Sequence, residues 1–257
     1  MLVPGLVSIS FRQLPPEAVV PLVVKAGLKA IEWGGDVHVP PGDERRAAAV
    51  RRLTADAGLQ VAAYGSYYRA GQPAAAGAGF ESVLASAVAL GAPVVRVWAG
   101  AKGSAETPPE PRQALAADLR RIALAAQAAG IRVSLEWHGG TLTDRLESTL
   151  ELFREVALPP EILGCHWQPH VGQPPPAARR DLEAILPWLT HLHVFHWRIH
   201  ERLPLAEGAA AWRGYFAAAR RTGRGHAALL EFVAHDDPEQ FLRDAQALRG
   251  LLAEAEG

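Results

Sequence analysis

The chain has 257 residues, about half of them apolar (49%), enough to bury one large core. Its 26 Lys and Arg nearly balance 27 Asp and Glu, leaving a net charge of −1, so neither nucleic acid nor an anionic membrane is an expected partner. The lone Cys165 cannot form an internal disulfide, which fits a reducing, cytoplasmic compartment, and MLVPGLVSISFRQL reads as neither an export leader nor a membrane span.

The phrases AGLKAIEW, AGLQVAAY, LGAPVVRVW, AGIRVSLEW and TGRGHAALLEF each place a glycine between an Ala/Leu-rich helical pattern and a short apolar run. A glycine takes the left-handed cap conformation without steric penalty, so each phrase reads as a helix feeding a buried strand. Gly27, Gly58, Gly91 and Gly130 fall 31, 33 and 39 residues apart. That is the length of a helix, a strand and two loops, and it predicts βα units with parallel strands.

In chain order the predicted strands are residues 7–11, 30–33, 61–64, 94–98, 133–136, 162–166, 191–195 and 228–232, each followed by a helical pattern. The helix before the fifth strand is predicted in most detail. Thr107 caps it, Pro108 takes the first position and Glu110 closes a capping box, with Leu115, Leu119, Ile122 and Ala126 on one face. GAGF, residues 77–80, is too short for a dinucleotide fingerprint and reads as a helix start. Eight βα units without a linker predict an α/β fold, a closed (β/α)8 TIM barrel in a single domain over residues 1–257.

Working residues of such a barrel lie at the C-terminal ends of strands, and these ends are polar here: Glu32, Tyr64, Trp98, Glu136, His138, His166, Gln168, His193, His196 and Glu231. Glu136 and Glu231 each close an apolar strand, where an unpaired carboxylate is costly, so a metal or a basic partner is expected. With His193 they make an oxygen and nitrogen set suited to a divalent metal, Mn, Mg, Co or Zn. The competing reading of each glutamate is a salt bridge across the barrel mouth. His191 lies deeper in its strand and reads as a hydrogen-bonded core residue; His170, His200 and His235 read as surface residues.

The order IEWGGD, SLEWHGG, CHWQPH, HLHVFHWR and LLEF resembles the sugar phosphate isomerase/epimerase proteins of the xylose isomerase-like barrel superfamily, which also holds endonucleases. The resemblance implies a divalent metal held at the ends of strands five to eight, by Glu136, Gln168, His193 and Glu231. Gln168 stands where the family has Asp, so either His166 or His170 compensates, or the metal is weak or absent. The implied chemistry moves a proton next to a carbonyl of a small-molecule carbohydrate through an enediolate, with Glu136 and Glu231 as catalytic carboxylates.

Substrate-binding candidates are Trp33, His138, His166, His196 and Arg198. Trp33, Trp98, Trp137 and Trp197 serve either as pocket walls or as packing. Family analogy suggests a homo-oligomer. One alternative is a non-catalytic sugar-binding barrel that lost its Asp ligand; another, a DNA endonuclease, is opposed by the balanced charge.

Overall fold

The computed structural model describes residues 1–72 and 79–254. Its strands are β1 (Leu2–Val7), β2 (Ala30–Gly34), β3 (Gln60–Arg69), β4 (Val94–Trp98), β5 (Arg132–Glu136), β6 (Leu163–Trp167), β7 (Leu189–Val194), the short β8 (Trp197–Arg198) and β9 (Glu201–Arg202), and β10 (His226–Leu230). Eight of them close a barrel in the order β1-β10-β7-β6-β5-β4-β3-β2, with every neighbouring pair parallel. β8 and β9 form a separate antiparallel hairpin.

Eight helices alternate with the barrel strands: α1 (Pro16–Lys25), α2 (Glu44–Asp56), α3 (Phe80–Leu90), α4 (Pro109–Ala128), α5 (Leu146–Val156), α6 (Pro175–Ile185), α7 (Ala209–Arg220) and α8 (Pro238–Glu254). This is the predicted (β/α)8 barrel. No described helix is long and apolar enough to cross a membrane. Of GAGF, residues 77 and 78 lie outside the described residues, as do 255–257 of the predicted domain.

Alternation within each strand decides what reaches the barrel axis. On β5, Val133 and Leu135 are buried among the apolar residues, while Arg132, Ser134 and Glu136 share the opposite, inward face. On β2, Glu32 points inward and its neighbours Ile31 and Trp33 pack outward. The glycines between helices and strands do what the spacing predicts: Gly27, Gly58, Gly91 and Gly130 all have φ near +70°.

Two local expectations are corrected. The first strand is not residues 7–11 but Leu2–Val7, and Ser8–Phe11 is a buried 3₁₀ turn. The apolar run continues past the strand because Ser8 and Ser10 turn to hydrogen-bond other backbone, Ser8 accepting from Gly34 N–H and Ser10 donating to the Val7 carbonyl. At the start of α4, Pro108 is the N-cap residue and no side chain caps the helix. The Thr107 hydroxyl instead donates to the Gly103 carbonyl at 2.9 Å, closing the preceding turn. The predicted face of α4 holds: Leu115, Leu119, Ile122 and Ala126 are buried.

Candidate active site

Parallel strands bring their C-terminal ends to one rim, and there the structure assembles a charged cluster. Glu136, His193 and Glu231 each turn one ligand atom to within 4.8 Å of the others. All three are buried. The His193 Nε2 meets Glu32 Oε2 at 3.1 Å, and its Nδ1 faces Gln168 Oε1 at 3.0 Å, Glu231 Oε2 at 3.5 Å and Glu136 Oε1 at 3.7 Å.

This arrangement fixes the imidazole's role. If Nε2–H donates to Glu32, Nδ1 faces three oxygens, and a second proton, held on the imidazole or on Glu231, or a cation in its place satisfies that position. Without a cation, burial opposes the charge on His193, yet Glu231 and Glu32 outweigh it and raise the imidazole to about 10.

The second anchor is Arg96, at the centre of β4 and almost fully buried. Its Nε donates to Glu32 Oε1 at 2.6 Å, and its Nη1 pairs with Glu136 Oε2, the oxygen that also accepts from the Trp98 indole. Burial would raise both carboxyls, but the guanidinium holds Glu32 and Glu136 below the usual carboxylate range. Glu231 has no such partner. Burial first, then the neighbouring Glu136 charge, push it above the usual range despite His193. Two glutamates of one cluster are thereby driven in opposite directions, a pattern associated with acid and base roles.

A cation can take the place of two protons. With His193 neutral and Glu231 ionised, the carboxylates of Glu32, Glu136 and Glu231 exceed the Arg96 guanidinium, which pairs with the first two, by two negative charges. A divalent ion balances that remainder. Glu136 through Oε1, Gln168 through its amide oxygen, His193 through Nδ1 and Glu231 through Oε2 are the donors that fit, since their free lone pairs converge.

Of the nine residues expected at the site, Glu136, Gln168, His193 and Glu231 meet. His138 lies at the same rim, stacked on Trp98 with ring centres 4.9 Å apart. Trp33, His196 and Arg198 are placed elsewhere. Trp33 is fully buried on the outer face of β2 with its indole donating to Thr54 of α2, because it is one residue out of phase with the inward Glu32. His166 is enclosed in the barrel on the inner side of the cluster: Nδ1 bonds Ser134, Nε2 lies 3.3 Å from Glu32 Oε2, and with Glu32 and His193 it forms a second group of ligand atoms within 4.8 Å of one another.

His196 packs on Gly208 and lines a separate cavity of about 450 Å³ between the β6 and β7 loops, with Trp197, Trp212 and Tyr215. Arg198 projects from the hairpin and is tied to Glu201 at 2.7 Å. His170 packs against Trp137, with ring centres 5.7 Å apart. Of the four tryptophans considered as walls, Trp98 reaches the cluster, Trp137 is wholly buried, and Trp197 packs against Phe195 and Phe232 on the hairpin.

Sequence reasoning left Arg96 out and kept Glu32 only as a polar strand end. The available signal was a lone arginine inside the otherwise apolar VVRVW. Tyr67 was also passed over. It takes a left-handed φ of 56°, which sets its ring edge-on to Trp98 and beneath the Arg96 guanidinium. Ile199, Phe232, His235 and Asp236 share that uncommon conformation in the hairpin and in the loop after β10.

The xylose isomerase-like TIM barrel family matches residues 20–251. The chain belongs to that family. A curated relative, 3-dehydroshikimate dehydratase from Bacillus anthracis, is 31% identical over 158 residues, a match that spans 61% of this chain and 54% of the relative. Among solved structures, a family member from Mycobacterium smegmatis in complex with magnesium is 16% identical with a TM-score of 0.75, covering 100% of this chain and 98% of its own. L-Ribulose 3-epimerase is 18% identical with a TM-score of 0.72, covering 100% and 96%. At these identities the two structures establish the shared fold.

Proposed function

We propose that the protein is an isomerase or epimerase that moves a proton next to the carbonyl of a small polyhydroxylated carbohydrate. The observation that carries this reading is the split between Glu136 and Glu231, two buried carboxylates within one cluster of which one is held ionised and the other is pushed up. Glu136 cannot easily take a proton while Arg96 and Trp98 occupy its Oε2. Glu231, with no guanidinium on it, is the more readily protonated of the two, so it takes the proton from the carbon beside the carbonyl and delivers it to the adjacent carbon in isomerisation; in epimerisation a group on the opposite face of the enediolate returns a proton. Glu136 keeps its charge and, with Gln168 and His193, would hold a divalent cation, the magnesium of the M. smegmatis relative being one instance of the class. When bound, that ion supplies polarisation of the substrate oxygens. Trp98 and His138 wall the rim beside Glu136 and can stack on the sugar's C–H face.

Incubation with ketoses in deuterated water tests this reading. Wild-type protein is expected to exchange the proton α to the carbonyl, and Glu231→Gln to lose roughly 10²- to 10⁴-fold of that rate while its circular dichroism stays that of a folded barrel. Unchanged exchange removes Glu231 from the chemistry.

The 31% identity to the dehydratase favours a second reading, in which abstraction of the same proton is followed by loss of a hydroxyl β to the carbonyl. Mass spectrometry of 3-dehydroshikimate incubated with the protein separates the two, since elimination removes one water and epimerisation conserves mass. The non-catalytic alternative rests on Gln168 alone, and exchange with any ketose excludes it.

A further inference from the structure

Arg69 ends β3, in register with Trp98 of β4. Its guanidinium carbon lies 4.1 Å from the centre of the Trp98 ring. Other arginines around this rim have a partner: Arg12 pairs with Asp36, Arg96 with Glu32 and Glu136, Arg198 with Glu201, Arg202 with Asp236, and Arg145 bonds the Ser104 hydroxyl. Arg69 is different. Among the described residues no carboxylate lies within ion-pair distance of it, and its guanidinium has no hydrogen-bond acceptor, although it is exposed.

The supporting surface is rigid. The Trp98 indole is tied to Glu136 through its N–H, carries the edge contact with Tyr67 and stacks with His138. A guanidinium resting on such a face keeps its N–H edge free, and that edge presents a forked pattern matched to two oxygens of one anion. Lys102, in the loop after β4, has no carboxylate partner among the described residues, and it shares a cavity of about 240 Å³ with Gln72, three residues beyond Arg69. The Arg69 charge itself would offset the repulsion an anionic substrate meets at a mouth lined by carboxylates.

We propose that Arg69, seated on Trp98, anchors an oxyanionic group of the substrate, a phosphate monoester or a carboxylate, on the β3–β4 side of the mouth. This assignment rests on the proton-transfer reading of the cluster and adds a substrate class to it.

The test is a titration of wild type, Arg69→Gln and Arg69→Lys with D-fructose, D-fructose 6-phosphate and 3-dehydroshikimate, followed by tryptophan fluorescence. Wild type is expected to bind one of the two anions at least about tenfold more tightly than the neutral sugar, as for a charge-assisted bidentate contact. Whichever anion is preferred identifies phosphate or carboxylate as the group. In Arg69→Gln the preference should fall below about threefold, with Arg69→Lys in between, because a lysine keeps the charge and loses the fork. Equal binding of anions and neutral sugar by wild type, no measurable binding of either anion, or a preference that survives in Arg69→Gln overturns the proposal. Deuterium uptake by D-fructose in wild type is read alongside. Uptake without an Arg69-dependent preference defeats the anchor alone, and such a preference without uptake of deuterium by any probe defeats the proton-transfer reading alone.

Discussion

Two histidines of β7, His191 and His193, stand two residues apart on the same inward face and behave in opposite ways. At the upper end of the barrel His193 is surrounded by Glu32, Glu136 and Glu231, and its imidazole is raised to about 10. Toward the lower end His191 donates to the Ala62 carbonyl and accepts from Ala227 N–H, and burial with the nearby His166 pushes it down to about 3. The arginines repeat the contrast. Arg96 is bound by two carboxylates, whereas Arg132, at the start of β5, donates to the Trp188 carbonyl and its buried Nε has no partner among the described residues. Identical side chains become a charged centre or a backbone prop according to whether carboxylates share their layer of the barrel.

The comparison can be broken most forcefully at the arginines. Replacing Arg96 by Met strands two buried carboxylates, and urea unfolding should register a loss of about 3–5 kcal/mol. Arg132→Met removes a single hydrogen bond to a carbonyl and should cost about 1 kcal/mol. Comparable losses in the two variants would show that the carboxylates do not set the difference.

The histidines predict opposite pH limbs in cation-free protein. His191 stays neutral in the fold while the unfolded chain takes up a proton below its ordinary value. Its contribution is therefore complete above about pH 6.5 and falls by about 1.4 kcal/mol per pH unit as pH drops toward 3. His193 holds its proton in the fold, so its contribution is complete below about pH 6.5 and is lost as pH rises toward 10. Chemical denaturation across pH should show His191→Gln flattening the acid limb and His193→Gln the alkaline one. Saturating Mn²⁺ should also remove the alkaline limb, since a cation on Nδ1 displaces that proton.

A smaller effect concerns Gln168. Introducing a carboxylate in Gln168→Asp adds one negative charge beside His193 Nδ1, and equilibrium dialysis should find divalent affinity raised roughly tenfold. Smallest is Trp98→Phe, which keeps the ring but removes the N–H to Glu136. A loss of about 1 kcal/mol in stability, with a shift of the lower limb of the pH–rate profile toward higher pH, is expected as Glu136 becomes easier to protonate. An unchanged profile would mean that Arg96 alone holds that charge.

Much of this was readable before any coordinates. The glycine spacing pointed to parallel βα units and the count of apolar runs to eight of them; the polar endings of SLEWHGG, HLHVFHWR and LLEF pointed to Glu136, His193 and Glu231, to which the family resemblance added Gln168, and the four do meet. Trp33, His196 and Arg198 were misplaced because strand ends in a linear text carry no phase. Trp33 follows an inward residue and so faces a helix; His196 and Arg198 lie beyond the strand, where the hairpin carries them off the axis.

What the amino-acid order determined by itself was a local matter of period and punctuation: runs that must bury both faces, glycines that end helices, and acids placed where an apolar run stops. These act over a few residues and survive without knowledge of the rest of the chain. The tertiary structure alone decided partnership. Arg96 contacts Glu32 and Glu136, which are 64 and 40 residues away, and His193 reaches Glu32 across 161 residues. Closure of the barrel, with its strand stagger, selects which inward side chains share a layer, and in a medium of low polarity that selection sets whether each carries a charge.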